Sequence, residues 1–286
     1  MVLAAAKEDL LAADEFARVA KFIQDTTGIK VPAGKKMMVE GRLRKRVKAL
    51  GLASLDDYCR TVFERPGFEQ EMVQLINALT TNKTDFFREP SHFTFLRDVV
   101  LPEAAEMGIG LQSTFKVWSA ASSIGAEPYT LAMVLADFAL TQERWRFQVL
   151  ASDISTEVLA HAARAIYTEE QIEPVPMEMR KRHLLRSIDP ARRLVRIAPE
   201  LRKTVNLFHL NLMDASYPVD RDVDAIFCRN ILIYFDPPTQ GRVIDRLIRH
   251  LRPGGYLFLG HTEGLGGKSS DRLIWRGDSV FQRAPQ

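Results

Sequence analysis

Apolar residues in the first eighty or so positions recur at helical spacing. Phe16, Val19, Ala20 and Ile23 follow an i, i+3, i+4, i+7 pattern. Asp14 stands where it can cap that helix and Gly28 where it can end it. A second helix is expected over Lys36 to Leu50, with Val39, Leu43, Val47 and Leu50 on one stripe and Gly51 after it. Ser54 with Asp57 has the look of a capping box opening a third helix that turns Leu55, Tyr58 and Val62 inward. Glu71 to Leu79 carries Met72, Leu75, Ile76 and Leu79. Amphipathic helices on short loops predict a small helical bundle.

From about Phe115 the pattern changes. FKVWSA is a short β-rich run, followed by a loop of small residues and a helix starting near Pro128. RFQVLASD reads as a second strand, and STEVLAHAARAIY as a helix that Ser155 can cap. DVDAIFCRNILIYF reads as one long buried strand, with Asp236-Pro-Pro238 opening the next helix. That helix carries Val243, Ile244, Leu247, Ile248 and Leu251 and ends at Arg-Pro-Gly-Gly. GYLFLG and a strand near Ser279–Gln282 close the chain. Strands alternating with helices predict a largely parallel, doubly wound α/β sheet. Pro174 to Val205 breaks the alternation and reads as an insertion, with RLVRI as a strand within it.

The 286 residues suffice for a small domain and a mid-sized one. No apolar run approaches the roughly 18–20 residues that span a bilayer. The opening stretch MVLAAAKEDLLAADEF lacks a basic region before its apolar part, so no signal peptide and no membrane insertion are expected. Two cysteines, Cys59 and Cys228, form no zinc or disulfide pattern, and a reducing cytoplasm is the expected location. His92 and His261 have no partners at metal-ligand spacing, so no metal is expected. Net charge is only +3. Yet Arg42, Arg44, Lys45, Arg46 and Lys48 crowd one helix with nothing acidic between Gly41 and Leu50. Arg42, Lys45 and Arg46 share the face opposite Leu43 and Val47, and suit an acidic partner or a phosphate backbone.

In an open parallel sheet, ligands sit beyond the carboxyl ends of the strands. The loop after the first strand, Trp118 to Tyr129, holds a single glycine, Gly125, and places Glu127 at the helix start. It lacks the glycines of a pyrophosphate cradle and suits a cationic ligand. Asp153 ends the second strand, where an acid can accept hydrogen bonds from ribose hydroxyls. A ribose-bearing cation without phosphate points to a nucleoside cofactor, with a methyl donor favoured.

Six short motifs then carry a resemblance. They are Leu79-Thr-Thr-Asn-Lys-Thr-Asp-Phe-Phe-Arg-Glu89, Trp118-Ser-Ala to Glu127-Pro-Tyr, Ala151-Ser-Asp-Ile154, Asn211-Leu212, Phe227-Cys-Arg-Asn-Ile-Leu-Ile-Tyr-Phe235 and Gly260-His-Thr-Glu263. In this order and spacing the chain resembles the CheR chemoreceptor glutamate O-methyltransferases over nearly its whole length. The resemblance implies an all-α N-terminal receptor-interaction domain over 1–85. It further implies an α/β S-adenosylmethionine-binding methyltransferase domain over 86–286, with a small β-subdomain inserted at 174–205. It implies cofactor contacts from Asn82, Thr84, Arg88, Glu127, Asp153, Asn211, Leu212, Arg229 and Asn230, with Asn211-Leu212 along the adenine. Arg88 and Tyr234 would hold the incoming carboxylate as catalytic residues. Arg88 would sit at the junction of the domains, where Phe86, Phe87, Phe93 and Phe95 are expected to form an inter-domain core. Arg42, Lys45 and Arg46 would face the acidic, helical cytoplasmic region of methyl-accepting chemotaxis receptors. The product would be S-adenosylhomocysteine, the enzyme a monomer, and nucleic acid no partner. Two positions depart from the family loop Ser-Thr-Gly-Glu-Glu-Pro-Tyr: Ile124 stands for the threonine and Ala126 for the first glutamate. They keep open a cofactor-binding interaction module without turnover. The basic helix keeps open a nucleic-acid-binding methyltransferase homologue.

Overall fold

A computed structural model describes residues 9–265 and 271–285. The first eight residues, which open the stretch read against a signal peptide, lie outside them. The chain divides into two compact units, 1–81 and 82–286, four residues before the expected boundary.

The first unit holds helices α1 (Ala13–Thr27), α2 (Lys36–Leu50), α3 (Leu55–Glu64) and α4 (Glu69–Leu79). Val19, Ile23, Val39, Leu43, Leu55, Tyr58 and Leu75 form its buried core. α1 ends as expected, with Gly28 at φ 76° donating to Gln24 O. Its start differs: the N-cap is Ala12 and makes no side-chain cap, while Asp14 lies in the first turn. Long-range acceptors replace the local cap, since Leu11 N donates to Glu40 and Ala12 N to Asp56. Ser54 caps α3 by accepting from Asp57 N at 3.1 Å. Asp57 accepts from Ala53 N, one residue before the reciprocal position of a capping box. Leu50, placed on the apolar stripe of α2, is 36% exposed.

The basic face of α2 is largely spent within its own unit. Arg42 Nη1 donates to the carbonyls of Ala78, Leu79 and Thr80, capping the end of α4. Arg46 grips Glu71 with two bonds of 2.8 and 2.7 Å, and the Tyr58 hydroxyl donates to the same carboxylate at 2.9 Å. Lys45 and Lys48 are exposed. Arg42 and Arg46 thus each have acceptors that α4 brings to them within their own unit.

In the second unit a helical run unmarked by the sequence reading covers α5 (Pro90–Phe95), a π-helical turn (Leu96–Val100) and α6 (Leu101–Glu106). Then come β1 (Phe115–Ala120), α7 (Ala126–Ala139), β2 (Phe147–Asp153), α8 (Thr156–Arg164), β3 (Ile166–Thr168), α9 (Met177–His183), β4 (Leu184–Arg186) and β5 (Leu194–Ile197). α10 (Pro199–Arg202), β6 (Val205–His209), β7 (Val223–Cys228), α11 (Pro237–His250), β8 (Leu251–Leu259), β9 (Leu273–Gly277) and β10 (Val280–Arg283) follow. Among the described residues, one sheet has the order β6-β2-β1-β7-β8-β10-β9. The first five of these strands pair in parallel, and β10 is antiparallel to both neighbours. Every residue of β7 is buried, as a central strand covered on both faces requires. Ser155 caps α8 as expected, and Asp236 caps α11, which opens where expected.

Three local expectations are corrected. The long strand ends at Cys228, because Asn230 turns the chain at φ 58° and Leu232–Tyr234 forms a single 3-10 turn. Leu251, read as part of the helix, instead opens β8, which runs through Arg-Pro-Gly-Gly. The antiparallel sheet β3-β5-β4 spans 166–197, starting earlier than the expected insertion, and Val205 already belongs to β6 of the main sheet. Phe86 and Phe93 lie in the core of the second unit, with Phe87 and Phe95 packed against it. Within that unit Phe93 stacks on Phe227 at 5.8 Å and Phe86 meets Tyr167 edge-on at 4.9 Å. No helix among the described residues is long and apolar enough to cross a membrane.

Candidate active site

The strand order reverses at β1, between β2 on one side and β7 on the other. Their carboxyl ends bring Ala120, Asp153 and Cys228 to one edge, where doubly wound folds bind ligands. The backbone there adopts conformations that non-glycine residues avoid. Ala121, Ser123, Phe87, Glu89 and Asn230 all have φ between 51° and 63°. Each costs on the order of 1 kcal/mol or more, and such positions concentrate at functional sites. Gly125, at φ 95°, opens α7. A Cβ there would lie 2.7 Å from the Tyr167 hydroxyl and 2.9 Å from the Ala162 Cβ, so only glycine lets the loop approach so closely.

Glu127 and Asp153 both reach this edge and both are buried. Glu127 accepts from the Ser119 hydroxyl at 2.7 Å and pairs with Arg229 Nε at 2.6 Å. Asp153 accepts from Ser123 N at 2.8 Å, from Ser155 N at 2.9 Å and from Ile154 N. Burial raises its pKa, and these backbone donors oppose the rise. A carboxylate offers about four acceptor sites, so three donors leave about one for a ligand hydroxyl. Asn211 Oδ1 accepts from Met213 N, and Leu212 is buried beside it just past β6. Ser122 Oγ, in the loop after β1, is buried without a hydrogen-bond partner among the described residues.

The segment Asn82–Glu89 joins this edge. Asn82 O accepts from the Ser123 hydroxyl at 2.7 Å, and Phe87 N donates to Thr130. Thr84 lies part-buried in the same segment. Arg88 O accepts from Arg229 Nη1 at 2.7 Å, while the Arg88 side chain donates to Lys83 O. Asn230 Nδ2 donates to Glu89 Oε1 at 3.0 Å. Tyr234 is part-buried on the 3-10 turn beyond. Thus Asn82 and Asp153 share Ser123, while Arg88, Glu127 and Asn230 are tied together through Arg229 and Glu89.

Other members escaped the sequence reading. Arg229 Nη1 lies 3.4 Å from Glu89 Oε2 and 3.2 Å from His92 Nδ1, and the guanidinium sits 5.0 and 5.6 Å from the Phe93 and Phe227 ring centres. His92 Nε2 meets Asp278 O at 2.6 Å, and its ring lies 4.9 Å from that of His261. Glu89, His92 and His261 thus offer possible metal-ligating atoms within 4.8 Å of one another, a proximity their sequence spacing does not suggest. Here the Arg229 guanidinium already supplies the positive charge between Glu89 and His92. Glu89 ends the first of the six motifs, but nothing local marks its contact with Asn230. A separate cavity of about 470 Å³ lies against the small sheet, lined by Ile172, Met177, Arg180, Leu184, Arg186 and Val195 among others. It shares no residue with the edge described above.

An edge with two buried carboxylates, an unpartnered hydroxyl and no glycine-rich phosphate cradle suits a cationic ligand that bears hydroxyls. Comparison with known proteins agrees. Residues 82–278 match the model of the CheR methyltransferase SAM binding domain, and 14–80 that of the CheR methyltransferase all-alpha domain. The chemotaxis protein methyltransferase of Klebsiella aerogenes is 40% identical, the alignment covering 93% of this chain and 88% of that one. The chemotaxis protein methyltransferase of Escherichia coli is 39% identical over 93% of this chain and 89% of its own. Chemotaxis protein methyltransferase 2 of Pseudomonas aeruginosa is 38% identical over 87% and 86%. The chain therefore belongs to the CheR methyltransferase family, with S-adenosylmethionine as the cofactor of its second unit.

Proposed function

We propose that the protein transfers a methyl group from S-adenosylmethionine to glutamate side-chain carboxylates of methyl-accepting chemotaxis receptors. Identity near 40% to chemotaxis protein methyltransferases over most of the chain carries the reading. Bound S-adenosylmethionine supplies an electrophilic methyl group and departs as the neutral thioether S-adenosylhomocysteine. The receiving carboxylate, with a reference pKa of about 4.3, is ionised at neutral pH, so the chain need provide neither a general base nor a general acid. Its task is to align the carboxylate and strip its water.

In this reading Asp153 holds the ribose through its remaining acceptor capacity, and Asn211 with Leu212 lines the adenine. Glu127 and Arg229 face the amino-acid end, joined by Asn82, Thr84, Arg88 and Asn230. Arg88 also orients the substrate carboxylate with a planar pair of hydrogen bonds, and the Tyr234 hydroxyl supports it. Arg88 and Tyr234 are the proposed catalytic residues. The helical unit docks the acidic receptor helices through the exposed cations of α2, Lys45 and Lys48, which steer encounter more than they add affinity. Ile124 packs against the apolar core and Ala126 is 1% exposed within it. The two departures from the family loop thus fill the core.

The test is label transfer from methyl-tritiated cofactor to a cytoplasmic receptor fragment. A carboxyl methyl ester releases labelled methanol in mild alkali. Alkali-stable label would mean transfer to nitrogen or carbon and would overturn the reading.

A further inference from the structure

The motif Gly260-His-Thr-Glu263 follows β8, and the cofactor and substrate roles above leave Glu263 without a task. Its side chain is nevertheless 9% exposed and faces a ring of main-chain donors. Glu263 Oε2 accepts from Gly260 N and Asn230 N, both at 2.8 Å, and Oε1 accepts from Ile233 N at 3.2 Å. Leu232 N donates to the same carboxylate. One carboxylate therefore spans the ends of β7 and β8, neighbours whose last paired residues are Cys228 and Leu259.

We infer that Glu263 is the positioning residue of the β7–α11 loop, fixing Arg229, Asn230 and Tyr234 in the geometry that methyl transfer needs. The loop cannot hold that shape by local means. Asn230 sits at φ 58°, and the 3-10 turn Leu232–Tyr234 has no side-chain cap from its N-cap, Ile231. The N–H groups of Leu232 and Ile233, orphaned at the start of that turn, find their acceptor in Glu263. The negative charge also complements the positive end of the turn. Gly260 lets the two strand ends close up: a Cβ there would lie 2.6 Å from Asn230 Nδ2 and 2.8 Å from Glu263 Oε2. On the far side Asn230 Nδ2 is held by Glu89. Asn230 is thus gripped at its backbone by one carboxylate and at its side chain by another.

The inference rests on the methyltransferase reading, and its test separates the two. Glu263→Gln keeps the size but turns an NH2 group toward the N–H donors. Measured at a temperature where the variant is folded, it should bind S-adenosylhomocysteine about tenfold more weakly and show kcat reduced at least tenfold. Glu263→Asp, which keeps the charge, should recover part of both. An element of stability alone would lower Tm and leave both parameters unchanged. Values within twofold of the parent would therefore overturn the inference. If Glu263→Gln does not accumulate as folded protein, amide exchange in the unaltered protein decides. Slow exchange at Asn230, Leu232 and Ile233 supports the clamp, and exchange at open-loop rates removes it. Should the unaltered protein methylate no receptor fragment, the functional reading fails, while cofactor affinity and exchange still judge Glu263.

Discussion

At the residue scale, Arg42, Lys45 and Arg46 lie within one helical turn and a half yet have different surroundings. Arg46 shares the buried Glu71 with Tyr58, and Arg42 caps α4. Lys45 is exposed. A run of cations announces positive charge, but which of them remain available depends on acceptors 25 to 38 positions away. Arg46→Ala should cost about 2 kcal/mol of unfolding free energy in denaturant titration, because it strands a buried carboxylate. Reversing Lys45 and Lys48 to Glu should instead leave Tm and cofactor affinity unchanged and slow receptor-fragment association at low salt. Equal loss of cofactor binding in that variant would contradict the division of labour between the units. Arg88→Ala removes a side chain that makes an exposed hydrogen bond to Lys83 O, while the Arg88 carbonyl that anchors Arg229 stays. It should fold normally and lose most transfer activity. Undiminished turnover would remove Arg88 from the site.

At the scale of elements, local patterns located most of the secondary structure and missed what distant contacts impose. β1, β2 and α2 follow from apolar spacing and flanking punctuation. β7 was overrun because ILIYF is as apolar as the strand before it. What ends the strand is the turn at Asn230, held by Glu89 and Glu263 from other segments. β9 was missed because Ile274 and Trp275 are exposed and show no alternation. The small sheet also does more than its sequence suggests. Tyr167 in β3 is 1% exposed, packs on Phe86 and donates its hydroxyl to Ile124 O at 2.8 Å. It thereby braces the loop after β1. Tyr167→Phe should keep the fold and weaken S-adenosylhomocysteine binding about fivefold, the worth of roughly one hydrogen bond. Unchanged affinity in calorimetry would show that the loop holds itself.

At the scale of the molecule, the broad architecture was legible: a helical unit followed by a doubly wound one. The site was legible only as motifs, because each motif contributes one side of a contact and its partner lies elsewhere in the chain. Arg229 with Glu127 and Asn230 with Glu263 are examples. Those contacts also tie stability to pH. Burial lowers the His92 pKa, aided by Arg229 and His261 and opposed by Asp278 O and Glu89. Its folded value lies below the unfolded 6.5, so the unfolded state binds the extra proton. Stability should be fully present above about pH 6.5 and fall as pH drops below it. Burial pushes Glu89 up, but the Asn230 hydrogen bond, Arg229 and the two histidines outweigh it and hold its pKa below the usual value. Its contribution is present above about pH 4.5 and lost on further acidification. Tm measured from pH 8 to 4 should therefore decline below 6.5, and more shallowly in His92→Phe. Identical slopes would acquit His92.

The assignment of the cofactor to the carboxyl edge of β1, β2 and β7 underlies every role given to an individual side chain. Calorimetric titration with S-adenosylhomocysteine, of the unaltered protein beside Asp153→Ala, tests it most directly. Saturable one-to-one binding that weakens at least tenfold in the variant is the predicted result. Undiminished affinity in Asp153→Ala, or no binding to the unaltered protein at millimolar ligand, would contradict the account.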